Sequence, residues 1–115
     1  MLIKYLRLVH SFGRAFWILW IKFPKLDKDQ KLQAIQVWSQ KTLDILGIQV
    51  KHEAAPANTP MTDAPLLLVA NHVSWVDVLI IQAIRPSIFV AKSEVKHWPI
   101  VGSIATACGV VFVDR

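Results

Sequence analysis

An apolar run, Leu66-Leu67-Leu68-Val69-Ala70, is followed directly by Asn71-His72-Val73-Ser74-Trp75-Val76-Asp77. The run predicts a buried strand, and the residues from Ser74 onward predict a helix. His72 and Asp77 are five positions apart, so in one regular helix they would point about 140° away from each other. They can meet only if the backbone bends between them, and a strand-to-helix turn supplies that bend.

Two interpretations of this stretch are open. In the first, the Asp77 carboxylate holds the His72 ring so that Nε2 accepts a proton, which is the arrangement of a general base and its orienting acid. In the second, Ser74 caps the helix, Asp77 is the acid in its first turn, and His72 is a loop residue. The two are compatible, because a capped helix start is a rigid mount for a catalytic pair.

Composition and charge narrow the class of protein. The 115 residues make one modest domain or a piece of a larger one. Hydrophobic residues make up 54% of the chain and the mean hydropathy is +0.42, so we expect some apolar surface to meet lipid or further protein. A net charge of +5 suits an anionic membrane, a phosphate-bearing ligand or nucleic acid. The one cysteine, Cys108, cannot form an internal disulfide, which indicates a reducing compartment, and we expect it to be a buried packing residue.

Residues 1–50 predict a membrane-associated helical hairpin. In its first helix Lys4, Arg7, Ser11 and Arg14 recur at steps of three and four and line one face, while apolar side chains cover most of the rest. The uncharged stretch 15–21 is far shorter than the roughly 20 residues that span a bilayer. This pattern favours a helix in the membrane interface, with Trp17 and Trp20 at the headgroup boundary. The alternative is a core helix packed on further protein.

The second helix has clear boundaries in the sequence. Pro24 ends the first helix, Asp27 with Gln30 forms a capping box, and Gly47 is the expected stop. The alternation in 48–51 predicts a short strand. Residues 51–65, with three prolines, predict a linker.

Residues 66–115 predict an α/β arrangement. Apolar runs at 66–70, 87–91 and 110–113 predict strands, residues 74–84 predict one helix, and 93–108 predict one or two, with Pro99 opening the second. Strands that alternate with helices form a mainly parallel sheet with crossover helices, and polar groups collect at the carboxyl ends of its strands. His72, Lys92 and the pair Asp114 and Arg115 would therefore meet at one edge.

Several motifs in this order resemble a known family. They are the string from Asn71 to Asp77, then Val90-Ala91-Lys92-Ser93-Glu94-Val95, Pro99 and Gly102, and finally Gly109-Val110-Val111-Phe112-Val113-Asp114-Arg115. Together they resemble the lysophospholipid acyltransferases, typified by bacterial 1-acyl-glycerol-3-phosphate acyltransferase. The resemblance covers about residues 66–115 and implies a glycerolphosphate acyltransferase-like fold. Because that family continues with a Glu-Gly-Thr segment, we expect 66–115 to be the N-terminal part of a truncated domain.

The resemblance implies a reaction and a set of site residues. His72 would be the catalytic base and Asp77 its partner, while Arg115 would hold the acceptor's phosphate and Lys92 would lie near the site. Asn71 and Ser74, one residue before and two residues after the histidine, complete the candidate substrate-binding residues. The enzyme would move an acyl group from acyl-CoA or acyl carrier protein, as co-substrate and without a cofactor, to the hydroxyl of a lysophospholipid such as lysophosphatidic acid. Lyso-ornithine lipid is an alternative acceptor, and the cytoplasmic face of the inner membrane is the expected location.

Two other classes of protein fit parts of the same sequence. A hydrolase could use Ser74 as nucleophile, although no Gly-x-Ser-x-Gly elbow is present. A non-catalytic membrane-surface protein could bind anionic lipid through Lys4, Arg7 and Arg14. No metal site is expected, because the remaining histidines lack ligand-like spacing. Nucleic-acid binding is disfavoured, since the N-terminal basic residues stand among apolar side chains and form no continuous patch.

Overall fold

Four helices and a two-stranded parallel sheet form the described part of the protein. The structure, a computed structural model, describes residues 1–53, 65–71 and 73–114. The elements are α1 (Leu2–Trp17), α2 (Lys28–Leu46), α3 (Trp75–Ile84), β1 (Val90–Lys92), α4 (Val101–Ala107) and β2 (Val111–Val113). A π-helical turn at Ile18–Lys22 and a 3-10 turn at Phe23–Lys25 extend α1, and a second 3-10 turn at Ser93–His97 follows β1.

The boundaries predicted for the second helix are confirmed, whereas Pro24 lies inside the 3-10 turn that follows the first and does not itself end it. The Asp27 carboxylate accepts the backbone N–H of Gln30 at 2.8 Å, and the Gln30 side chain accepts the N–H of Asp27 at 3.1 Å. At the other end Gly47 takes the left-handed conformation, with φ 74°, that a helix stop requires. Among the described helices, none has both the length and the hydropathy to cross a membrane.

Polar side chains join α1 to α2. The hydroxyls of Ser11 and Thr42 are 3.1 Å apart and buried, and the Trp38 indole N–H donates to the Ser11 carbonyl oxygen at 3.1 Å. The sequence pattern groups Ser11 with the exposed basic face, and that placement is wrong. Ser11 lies at the helix contact because its hydroxyl finds a buried partner there, whereas Arg7 and Arg14 are exposed.

The core lies between α2 and α3. Leu43, Leu79 and Ala83 are its buried residues. The side-chain amides of Gln36 and Gln40 both donate to the Ala83 carbonyl oxygen, at 3.0 and 3.1 Å. These bonds satisfy an acceptor at the end of α3, where helix carbonyls lack intrahelical partners.

The sheet is smaller than the sequence predicted. β1 and β2 pair in parallel, with Val90 opposite Val111 and Lys92 opposite Val113. The strands expected at 66–70 and 48–51 are not formed, so both predictions are wrong. A strand needs a hydrogen-bonded neighbour, and within the described residues β1 and β2 pair only with each other. Residues 66–70 therefore form no strand, and they are exposed to solvent.

The segment between the strands is held by two tight contacts. The N–H of Val101 donates to the Pro99 carbonyl oxygen at 2.6 Å around Ile100, whose φ of 67° and ψ of −59° define the rare γ-turn with positive φ. Pro99 thus lies two residues before α4, instead of opening it. In the first turn of α4, a Cβ on Gly102 would overlap the Lys96 carbonyl oxygen, so only glycine lets the 3-10 turn lie directly against this helix.

Candidate active site

The Asp77 carboxylate closes a tight turn at the start of α3. Its Oδ2 accepts the backbone N–H of Val73 at 2.8 Å and that of Ser74 at 3.0 Å. The Val73 nitrogen belongs to the peptide bond that joins His72 to Val73. The carboxylate is therefore fixed within hydrogen-bonding distance of the backbone directly beside the candidate base.

Ser74 is the N-cap of α3. Its hydroxyl oxygen accepts the N–H of Val76 at 3.2 Å and, with Asp77 at the third helical position, completes a capping box. The helix cap that the sequence predicts at Ser74 and Asp77 is confirmed. The backbone also changes direction here, since Ser74 has extended angles, φ −146° and ψ 165°, and the helix begins at the next residue.

The other candidate residues at this turn differ in how far the structure describes them. His72, proposed as the base, and Arg115, proposed for the phosphate, lie outside the described residues. Asn71 is described and is exposed to solvent. The roles of all three stay predictions.

The carboxyl ends of the two strands meet, as the sequence predicted for a parallel sheet. Lys92 ends β1 opposite Val113, and Asp114 follows β2 at the same edge. Lys92 and Asp114 are both exposed. A lysine and an aspartate thus lie at the same edge of the sheet.

An apolar cavity of about 520 Å³ connects the turn to the sheet. Val73, Ser74 and Trp75 line it from the turn, and Val90 and Ala91 line it from β1. Its volume lies in the range of small-molecule and lipid pockets, and most of its wall is apolar. The cavity therefore offers an apolar ligand a place beside Val73 and Ser74, the two residues whose N–H groups donate to Asp77.

Two polar side chains in this wall bear on its chemistry. Burial raises the pKa of the Cys108 thiol to about 11, so at neutral pH the thiol is protonated and is a weaker nucleophile than an exposed cysteine. Ser39 is 1% exposed, and its hydroxyl has no hydrogen-bond partner within the described residues. Within the same residues no three His, Cys, Asp or Glu side chains come together as metal ligands would.

Similarity to known proteins bears on this site. The Acyltransferase family model matches residues 47–115, which is more than half of the chain and includes the turn, α3, α4 and the sheet.

The chain belongs to the Acyltransferase family. Over 51 residues it is 55% identical to a lyso-ornithine lipid O-acyltransferase of Rhizobium meliloti, covering 44% of this chain and 18% of the relative. Over 50 residues it is 46% identical to a 1-acyl-sn-glycerol-3-phosphate acyltransferase of Neisseria gonorrhoeae, covering 44% of this chain and 20% of that protein.

A longer match extends into the helical hairpin. A lysophospholipid acyltransferase of Arabidopsis thaliana is 34% identical over 101 residues, covering 88% of this chain and 23% of the relative. This member of the Acyltransferase family therefore spans about a fifth of the length of the curated relatives it matches. No solved structure matches it significantly.

Sequence reasoning missed the cavity and the residues that line it from the helices. Nothing in the sequence indicates that Ser39 lines a cavity. A serine in an amphipathic helix is assigned to the polar, exposed face unless the element that packs against it is known. Trp75 lines the cavity and also contacts Phe12 of α1, with ring centroids 6.3 Å apart.

Proposed function

We propose that this chain carries the general-base half of an acyl-transfer site. The reaction moves a fatty acyl group from the thioester of acyl-CoA or acyl carrier protein to the free hydroxyl of a lysophospholipid. His72 is the base and Asp77 its orienting acid. The proposal rests chiefly on one observation, the two hydrogen bonds that fix the Asp77 carboxylate beside the backbone of His72.

The chemistry needs no covalent intermediate on the protein. As the acceptor oxygen attacks the thioester carbonyl, its proton passes to Nε2 of His72, and the imidazolium that forms is stabilised by the Asp77 carboxylate. The new C–O ester bond forms, the C–S bond breaks, and the departing thiolate recovers the proton from the imidazolium. The amides of Val73 and Ser74 already donate to Asp77, so we expect the donors for the oxyanion to come from other groups.

The surroundings of the turn fit this reaction. We assign the apolar cavity to an acyl chain, because Ser74 and Trp75 line it next to the proposed base. We assign Arg115 to an anionic group of the acceptor, since a guanidinium binds phosphate and carboxylate alike, and Lys92 and Asn71 to substrate contacts. Both lysophosphatidic acid and lyso-ornithine lipid carry such a group. The matched relatives act on acceptors of both kinds by name.

The hairpin suits an enzyme whose acceptor lives in a bilayer. Much of the apolar surface of α1 faces outward: Leu2, Leu6 and Val9 are 74%, 60% and 62% exposed, while Ser11 is buried. A helix that buries a serine and exposes leucines is suited to contact with lipid. We therefore propose that α1 lies in the interface of the inner membrane, on its cytoplasmic face, with the Phe12–Trp75 contact joining it to the site.

The experiment that tests this function measures acyl transfer by the protein encoded in the complete reading frame. Radiolabelled acyl-CoA or acyl carrier protein is supplied with lysophosphatidic acid or with lyso-ornithine lipid. We expect an ester product with at least one acceptor, and a rate lowered about 100- to 10,000-fold by His72→Ala, the range typical of a lost general base. Transfer that survives His72→Ala at full rate would refute the proposal.

The two rival functions give different results in related assays. Intact-mass measurement after incubation with the acyl donor alone distinguishes the hydrolase, which would leave an acyl group on Ser74, whereas direct attack leaves none. The exposed apolar face of α1 is the observation that favours a non-catalytic membrane-surface protein. Vesicle binding without acyl transfer to any acceptor, in the complete protein, would select that alternative.

A further inference from the structure

A second cavity lies on the other side of the C-terminal end of α1. It has a volume of about 580 Å³ and lies between the turns that end α1 and the segment formed by the 3-10 turn and α4. Leu19 and Phe23 line both cavities and so form a shared wall. Val73, Ser74 and Trp75 do not contribute to the second cavity, which we call the basic cleft.

The basic cleft combines cationic and apolar walls. Lys31, Lys96 and His97 line it, and none of its lining residues is acidic. The ammonium groups of Lys31 and Lys96 lie 5.9 and 6.0 Å from the ring centroids of Phe23 and Phe112. Within the described residues the one ion pair joins Lys51 and Glu53, so neither cleft lysine is neutralised by a carboxylate there.

The apolar wall continues to the outer surface of the protein. Phe16 and Trp20 line the cleft, and Trp20 is 71% exposed. Beside it, Lys22 places its ammonium group 5.4 Å from the ring centroid of Trp17, which is 50% exposed. Tryptophans flanked by lysines are typical of the boundary between lipid headgroups and acyl chains.

The position of Lys96 is built into the fold. Its carbonyl oxygen lies where a side chain on residue 102 would be, so Gly102 allows the 3-10 turn to lie directly on α4. That close contact fixes the backbone of Lys96 and His97 along the edge of the cleft. The Lys96 ammonium group is thus carried by a turn whose backbone is held against α4.

We propose that the basic cleft binds an anionic phospholipid of the membrane surface. The phosphate lies between Lys31 and Lys96, with His97 as a further hydrogen-bond partner, and an acyl chain lies along Phe16 and Trp20. A phosphate without a chain would leave the aromatic wall uncovered, and an acidic protein surface would not fill it. This lipid is distinct from the acceptor, and its site does not depend on the acyl transfer proposed above.

Calorimetry with a soluble lipid tests the site without the general attraction of a charged bilayer. Dioctanoyl phosphatidylglycerol, kept below its micelle concentration, is titrated into the protein, and dioctanoyl phosphatidylcholine and inorganic phosphate are titrated in parallel. We expect saturable binding of the phosphatidylglycerol and at least tenfold weaker binding of the other two. Equal binding of inorganic phosphate would overturn the lipid assignment.

Two double variants distinguish binding at the cleft from general attraction of the lipid to the protein's positive charge. Lys31→Gln with Lys96→Gln removes two positive charges from the cleft, and Lys41→Gln with Lys51→Gln removes two from exposed positions that do not line it. At about fivefold per lysine, we expect about twenty-five-fold weaker binding in the first pair and less than about threefold in the second. Equal losses in the two pairs would overturn the proposal.

A single variant keeps the test valid if the double variant folds poorly. Lys96 is exposed, so Lys96→Gln leaves the packing of its turn intact, and we expect about fivefold weaker binding. Circular dichroism checks the helix content of every variant. Binding of acyl carrier protein, but not of phosphatidylglycerol, that is lost with Lys96→Gln would show that the cleft recognises a protein and would overturn the lipid assignment.

Discussion

The Asp77 carboxylate accepts two backbone N–H groups, those of Val73 and Ser74, and these bonds hold it at the start of α3. The same two bonds close the turn that begins at Val73, the residue after the proposed base. The sequence predicted the capping box, because a serine and an aspartate at this spacing before an apolar run are typical of a helix start. It could not predict the cavity beside it, which is lined by residues far apart in the chain.

Cys108 gives a prediction about pH. Burial raises the pKa of its thiol from 9.0 to about 11, so the folded protein holds the proton more tightly than the unfolded chain. The resulting stabilisation is present below about pH 9 and is lost as the pH rises through 11. At pH 8 we expect iodoacetamide to label the native protein about a hundredfold more slowly than the protein in urea.

Mass spectrometry measures that labelling directly, since Cys108 is the one cysteine in the sequence. The Cys108→Ala variant is the blank. Equal rates in the native and unfolded protein would show that the thiol is accessible and not perturbed.

Gly102 gives a prediction about packing. Because a Cβ there would meet the Lys96 carbonyl oxygen, Gly102→Ala must push the 3-10 turn away from α4. We expect a loss of about 1–3 kcal/mol in the free energy of unfolding, the usual cost of overpacking, despite the better helix propensity of alanine. Urea denaturation followed by circular dichroism measures it.

Gly13 supplies the matched control for that substitution. It lies within α1, where a Cβ would meet nothing within 4 Å beyond its own stretch of helix, so Gly13→Ala should stabilise the protein slightly. A similar change in stability for both substitutions would contradict the proposed close contact.

At the scale of elements, the contact between α1 and α2 depends on paired hydroxyls. Thr42→Val keeps the side-chain shape but leaves the buried Ser11 hydroxyl without its partner, and we expect a loss of about 1–3 kcal/mol. Adding Ser11→Ala removes the orphaned group, so the double variant should recover most of that loss. Thermal unfolding of the four proteins of this cycle measures the coupling, and simple additivity would contradict it.

The helices were more predictable than the strands, for a physical reason. Helix boundaries follow from local signals, such as the Asp27 capping box and the left-handed Gly47, and the structure confirms them. A strand depends on a partner distant in sequence. Residues 66–70 have the composition of a buried strand, yet they are exposed and unpaired because no neighbouring strand reaches them within the described residues.

At the scale of the whole molecule, aromatic contacts join the exposed helix α1 to α2 and to the start of α3. Phe12 of α1 contacts both Trp38 of α2 and Trp75 at the start of α3, with ring centroids 5.4 and 6.3 Å apart. The amphipathic pattern of α1 was visible in the sequence. The sequence did not show which face of α1 turns toward α2. That face includes Ser11, because its hydroxyl pairs with the hydroxyl of Thr42, a residue 31 positions away in the chain.

The central claim is that Asp77 acts on His72 in acyl transfer in addition to capping α3, and Asp77→Asn separates the two roles. The asparagine side-chain oxygen can still accept the N–H groups of Val73 and Ser74, but the negative charge that stabilises an imidazolium is gone. Acyl transfer to a lysophospholipid is measured for this variant in the complete protein, together with its thermal stability. We predict a rate at least about a hundredfold lower with the melting temperature nearly unchanged. An unchanged rate in the folded variant would contradict the account and leave Asp77 as a helix cap alone.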